Sequence, residues 1–218
     1  MTLRRSPDGL WHSPLLKSQL WLDHAFGTAA SQPAAGFLVL HQVHGTRLVD
    51  ASEWQPHCSA DALAASSPGI RIAVKTADCV PILIADPVKR VVAAVHAGWR
   101  GTADGIAAAS VAALTERYGC RPEDLLAAFG PSIGPCCFEV GPDVAPRFSN
   151  LFPERDDLHQ RTKIDLREAN RRLLLQAGLI ETSISSKAPC TCCGGPEFHS
   201  WRRDRAPGKR MFAVVEIR

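Results

Sequence analysis

The stretch that most constrains this chain is residues 70–101, IRIAVKTADCVPILIADPVKRVVAAVHAGWRG, where three apolar runs of strand length alternate with turn residues. Runs of Val, Ile, Leu and Ala bounded by Pro and Gly read as buried strands, because a strand fills a core with about four to eight residues while a helix needs ten or more. A turn around Ala77–Pro81 separates the first two runs, Pro87 closes the second, and Gly98 and Gly101 end the third. Thr102 then offers an N-cap for ADGIAAASVAALTERYG, in which Ile106, Ala109 or Ser110, Ala113 and Leu114 share one helical face and Gly119 stops the helix.

The remainder mixes both periodicities. Residues 1–36 are irregular, with one short strand near Trp21, and FLVLHQVHG (37–45) has the texture of a strand with a glycine stop. LLAAFGPSIGPCCFEVG (125–141) reads as a strand entering a Gly/Pro loop, followed by a short helix over 141–150. In DLREANRRLLLQAG (165–178), Leu166, Ala169, Leu173 or Leu174 and Ala177 form the apolar side of an amphipathic helix, and TSISS and RMFAVVEIR supply the last strands. Without a regular βαβ alternation, the expected class is α+β, a mixed sheet system flanked by helices, over a single domain of residues 1–218. A core of that size needs no covalent staples.

Composition excludes several classes. The 25 basic and 22 acidic residues give a net charge of +3, too even a balance to imply a nucleic-acid partner, and SWRRDR (200–205) reads as solvated surface. No run reaches the roughly 18 apolar residues of a membrane span. His12, Pro14, Lys17 and Gln19 interrupt any signal-peptide core behind Arg4 and Arg5, so a soluble, cytoplasmic protein is expected. The eight cysteines are then expected to stay reduced and available for metal or catalysis.

Three of the reactive residues stand at or just after strand ends, beside glycine or a polar turn: His44 in HQVHG, Cys79 in TADC and His96 in VHAGWRG. Two imidazoles and a thiolate suit a Zn²⁺ site with three protein ligands and an open fourth position, which is the catalytic form of such a site. The spacings, 79 − 44 = 35 and 96 − 79 = 17, are not those of a zinc ribbon. The same atoms equally allow a metal-free reading, with Cys79 as thiolate nucleophile and His96 as base, and each residue taken alone also fits ordinary packing or hydrogen bonding. CTCC (Cys190, Cys192, Cys193) has C-x-C and C-C spacing without a second knuckle, so no zinc knuckle is expected there. Of the neighbours Cys136 and Cys137, at most one is expected to face any site, since adjacent side chains diverge on extended backbone.

In order, HQVHG, ADAL (60–63), TADCVPILIADP, VAAVHAGWRGT, GPSIGPCCFEVG and SWRRD followed by GKRMFAVV resemble the YfiH-type family. Its members carry the labels multicopper polyphenol oxidase or laccase-domain protein, purine nucleoside phosphorylase and peptidoglycan editing factor. The resemblance implies a mixed β-sandwich flanked by helices, four layers α/β/β/α, akin to a cysteine-hydrolase toxin domain. It also implies Zn²⁺ on His44, Cys79 and His96, and phosphorolysis of purine nucleosides, chiefly adenosine to adenine and ribose 1-phosphate, with adenosine deamination and methylthioadenosine cleavage as companion activities. The expected partners are therefore a purine nucleoside and phosphate, with no nucleic acid and no membrane.

Arg100, beside the glycine turn that opens a helix, is expected either to bind phosphate as part of the catalytic group or to form a structural ion pair. Trp99 is expected in the core rather than as a stacking platform. Asp78 either contributes to substrate binding and orients a ligand histidine or simply forms a turn. Copper is less expected than zinc, because only His41 and His44 approach the paired histidines of multicopper centres. One departure bears on substrate more than on metal: HAFGTAASQPAAGFLVLHQVHG keeps HAFGT but lacks the arginine and loop that follow it in the family pattern. That departure motivates a second reading, a non-enzymatic or weakly active factor in peptidoglycan editing or cell division.

Overall fold

A computed structural model describes residues 2–31 and 36–218; residues 32–35, inside the departing segment ahead of HQVHG, lie outside the described residues. One six-stranded sheet runs in the spatial order β1 (Arg4–Arg5), β2 (Trp11–His12), β3 (Leu22–Phe26), β14 (Met211–Ile217), β7 (Arg71–Thr76), β4 (Leu38–Val39). The second runs β13 (Ile184–Ser185), β10 (Leu126–Phe129), β8 (Val80–Asp86), β9 (Val91–Ala97), β6 (Ala62–Ala65), β5 (Leu48–Asp50). Pairing is antiparallel except for β4 with β7, β10 with β13 and β5 with β6. The fold is α+β, a mixed β-sandwich flanked by helices.

Every residue of β8 and β9 is buried, and their alternation explains why. Val80, Ile82, Ile84, Val91, Ala93, Val95 and Ala97 face the core shared with the helices, while Leu83, Ala85, Val92 and Ala94 face the core between the sheets. A strand covered on both faces reads as a continuous apolar run, which is the texture of residues 80–97. β14, half-covered, instead alternates buried Met211, Ala213, Val215 and Ile217 with partly exposed neighbours. At Gly130 the sheets come so close that a Cβ would collide with the ring of Phe26 and with Pro81.

The helices are α1 (Pro14–Lys17), α2 (Trp99–Ala103), α3 (Ile106–Tyr118), α4 (Leu166–Gln176) and α5 (Trp201–Asp204). α3 and α4 cover the second sheet, and the single turn α1 lies against β3 and β10. Asp165 caps α4, accepting from the amides of Arg167 (3.0 Å) and Glu168 (3.1 Å), and Leu166, Ala169, Leu173 and Leu174 are buried as the periodicity predicts. Among the described residues no helix is long and apolar enough to cross a membrane.

Some boundaries differ from the sequence expectations. Thr102 is no N-cap: it lies inside α2, fully buried, and its Oγ1 accepts from Asn170 Nδ2 of α4 at 2.8 Å. Helix α3 starts four residues later, behind Gly105, whose φ of 87° no branched residue would adopt readily. The helix expected over 141–150 is a 3₁₀ turn at Ala145–Phe148, and FLVLHQVHG forms a strand only at Leu38–Val39, with a lone parallel bridge from His41 to Ser59. Gln42 takes over from backbone in that loop, donating to Lys75 O and accepting from Lys75 N, both at 2.8 Å. Cys136 and Cys137 sit in a coiled turn, with the amides of Cys137 and Phe138 both on Gly134 O at 3.0 Å, and not on extended backbone.

Candidate metal centre

The β8–β9 hairpin brings the first two residues of the site together. Its register pairs Val80 with Ala97 and Pro81 with His96, so Cys79, one residue ahead of β8, stands opposite Gly98. His44 arrives from the loop between β4 and β5 in a left-handed conformation, φ 62°. Its ring meets that of His96 edge to face, centroids 4.9 Å apart. The donor atoms of His44, Cys79 and His96 all lie within 4.8 Å of one another. Gly98 makes room for them: a Cβ there would sit 2.6 Å from His44 Cδ2 and 3.2 Å from Cys79 Sγ.

A fourth residue organises the three. Asp61, fully buried just ahead of β6, accepts from the backbone amides of Val43 (3.2 Å), His44 (2.9 Å) and Gly45 (2.7 Å). Its Oδ1 also lies 2.8 Å from His96 Nδ1, while its carbonyl takes the His96 amide at 2.7 Å. Burial works against the Asp61 carboxylate, but His96 and the amides of Gly45 and His44 outweigh it and hold the group below the usual carboxylate range. An ionised Asp61 must accept from His96 Nδ1–H, so Nε2 is the nitrogen that can give up its proton to a metal.

Cys79 and His96 are tuned together. Burial pushes the Cys79 thiol up, yet the charge of His96 and hydrogen bonds from His44 and His96 bring it down to about 6. Burial lowers His96, and the Cys79 thiolate with Asp61 raises it to about 9. The thiol is thus set up as a thiolate, the form in which a cysteine can coordinate a metal. Two imidazoles and one thiolate gathered this closely, with a carboxylate fixing one imidazole from behind, fit Zn²⁺ with a position left for water or substrate.

The three donors open into a cleft of about 740 Å³, bordered by Lys75, Arg100, Arg205 and Arg210. Arg100 is exposed and stacked over Trp99, 4.4 Å from the ring centroid, and among the described residues it has no carboxylate partner. Trp99 itself is partly buried and packs against the helix-side core. Asp78 lines the cleft at a φ of 91°, a strained conformation for a residue with a side chain. Its carboxylate accepts from Thr191 Oγ1 (2.6 Å), Ser200 Oγ (3.1 Å) and the Arg202 amide (2.6 Å). The carboxylate hydrogen-bonded to a histidine of the group is therefore that of Asp61. The only mark Asp61 leaves in the sequence is a lone acid immediately before an apolar strand, in ADAL.

Residues 23–218 match the family model described as multi-copper polyphenol oxidoreductase laccase. A Deinococcus radiodurans protein named purine nucleoside phosphorylase is 38% identical over 209 residues, 94% of this chain and 78% of that protein. A protein named adenosine deaminase RL5, from an unknown prokaryotic organism, is 42% identical over 161 residues, 71% of this chain and 61% of its own length. The crystal structure of hypothetical protein YfiH from Bacillus licheniformis aligns with a TM-score of 0.87 at 26% identity, covering 99% of both chains.

Proposed function

The chain belongs to the multi-copper polyphenol oxidoreductase laccase family, and from that membership we propose that it is a zinc-dependent purine nucleoside phosphorylase, converting adenosine and phosphate to adenine and ribose 1-phosphate. The observation that carries the reading is the group His44, Cys79 and His96, three donors within 4.8 Å that line a cleft with more basic than acidic side chains. Relatives named for purine nucleoside phosphorolysis and adenosine deamination support the substrate class. When bound to His44, Cys79 and His96, zinc supplies Lewis-acid polarisation of an oxygen in the cleft.

The chain's own residues have defined tasks in this reaction. A phosphate oxygen forms a bond to C1′ of the ribose as the bond from C1′ to the base nitrogen breaks, and the departing base nitrogen takes up the proton that the hydrogen phosphate gives up. Arg100, with no carboxylate partner among the described residues and Trp99 beneath it, holds the phosphate by charge-assisted hydrogen bonds. Lys75 and Arg210 add to the positive potential that draws an anion into the cleft. Asp61 fixes the orientation of His96 and the path of the His44 loop, so the donors need no rearrangement on binding. Asp78 acts at one remove, tying Thr191, Ser200 and Arg202 into the cleft wall.

Incubating the zinc-loaded protein with adenosine and inorganic phosphate is expected to release adenine and ribose 1-phosphate in proportion to zinc content. Arg100→Ala is expected to raise KM for phosphate at least tenfold with zinc content unchanged. Fully zinc-loaded protein that turns over neither adenosine, inosine nor methylthioadenosine in phosphate would defeat the proposal. Copper redox chemistry is disfavoured by the donors: among the described residues only one cluster contains histidine, whereas a multicopper oxidase needs several. A second reading rests on the Asp61–His96 hydrogen bond beside Cys79, the arrangement of a cysteine hydrolase. Hydrolysis that persists after chelation would favour it, and loss of all turnover with the metal would exclude it.

A further inference from the structure

The sulfurs of Cys136, Cys137, Cys190 and Cys193 lie within 4.8 Å of one another, in a group separate from His44, Cys79 and His96. Two neighbouring segments supply them. The turn after β10 coils over Gly134 and carries Cys136 and Cys137. Alongside it, Cys190 pairs with Ser132 in a parallel bridge, the Ser132 amide donating to Pro189 O at 3.2 Å and the Thr191 amide to Ser132 O at 3.0 Å. The Gly194 amide then folds back on Cys190 O at 2.9 Å and brings Cys193 round to the same point. Cys190 and Cys193 stand in C-x₂-C spacing, and the turn after β10, with adjacent Cys136 and Cys137, takes the place of a second such pair, so the four sulfurs meet only through this pairing of segments.

Its dimensions and surroundings suit a metal. Cys136 Sγ and Cys193 Sγ are 3.6 Å apart, well beyond the roughly 2.05 Å of a disulfide. That separation is close to the edge, about 3.8 Å, of a tetrahedron with metal–sulfur bonds of about 2.3 Å. The Gly134 amide donates to Cys190 Sγ at 3.2 Å. An added Cβ at Gly134 would lie 3.2 Å from Cys136 Sγ and 2.8 Å from Arg167 Nη2, so this glycine admits both the sulfur and a guanidinium beside it.

We propose that Cys136, Cys137, Cys190 and Cys193 form a second, structural metal site for one thiophilic divalent cation, zinc first, that clamps the loop after β10 to segment 189–194. The clamp braces the cleft from outside. The two segments it joins also grip Asp78, through the Ile133 amide on Asp78 O at 2.9 Å and Thr191 Oγ1 on the carboxylate at 2.6 Å. Asp78 is the strained residue next to Cys79.

Zinc analysis of the full chain, expressed with zinc and dialysed without chelator, tests the site independently of any turnover. Two zinc ions per chain are expected in the wild type, one in Cys136→Ser, Cys193→Ser or His96→Ala, and none when His96→Ala is combined with Cys193→Ser. Cobalt-loaded His96→Ala is expected to show strong thiolate-to-cobalt charge-transfer absorption that Cys193→Ser removes. A wild type holding a single zinc that Cys136→Ser and Cys193→Ser leave in place would overturn the proposal, as would an intact mass lower by two or four hydrogens, the sign of disulfides. Should the serine variants misfold, thiol counting decides on the wild type. Exposed Cys136 and Cys193 are expected to resist a thiol reagent until chelator is added, and immediate reaction in zinc-loaded protein would sink the site.

Discussion

Two residues with no donor atom of their own in the His44, Cys79, His96 group govern whether a metal can bind there. Gly98→Ala would put a methyl group 2.6 Å from His44 Cδ2, closer than side-chain carbons approach, so His44 must swing away. The expected outcome is loss of zinc from this centre with the circular dichroism spectrum unchanged. Asp61→Asn keeps the shape but replaces an acceptor oxygen with a donor, facing three amides and His96 Nδ1–H. Zinc affinity is expected to fall about 10–100-fold, read by competition with a chelator of known affinity. His44, Cys79 and His96 stood out as reactive side chains beside glycine or a polar turn at strand ends, but the residues alone left a metal-free reading open, and only the family resemblance joined them as one ligand set. Asp61 did not stand out, because its partners His44 and His96 lie 17 and 35 residues away, and aspartate is among the ordinary turn residues.

At the scale of elements, the strands and the amphipathic helix followed from period alone, and their ends followed where a local cap exists. Asp165 is such a case: Asp165→Ala removes the acceptor for two α4 amides and is expected to cost about 1 kcal/mol in urea unfolding. Thr102 is the opposite case. Its sequence context is that of a cap, yet its hydroxyl is committed to Asn170, 68 residues away, and the chain instead starts a short helix directly after Gly98. The coiled turn at Cys136 and Cys137 was hidden for a related reason. Its shape depends on Gly134 packed against Cys190, a contact that neighbours in sequence do not encode.

Across the whole molecule, the sandwich holds one histidine, His24, largely buried and neutral. His24 of β3 is only 5% exposed and its Nε2 accepts from the Ser13 amide at 2.9 Å. Burial, with help from His12 and Lys17, lowers it to about 3. Between that value and the unfolded value near 6.5 only the unfolded chain binds the proton, so this contribution to stability is complete above about pH 6.5 and is lost as the pH falls. Between pH 7 and 5 the wild type is expected to lose about 2 kcal/mol through this residue. Urea midpoints across that range for His24→Gln, which retains an acceptor, are expected to be flatter by that amount. What the sequence by itself determined is the inventory: which runs are strands, which face of 165–178 is apolar, and which side chains can hold a metal, since each depends on residue type and spacing within a few neighbours. Only the tertiary structure decided the company those side chains keep. The β8–β9 register that sets Cys79 against Gly98, the buried Asp61 and the four converging cysteines all depend on pairings between distant segments, and those are fixed by the closing of two shared cores.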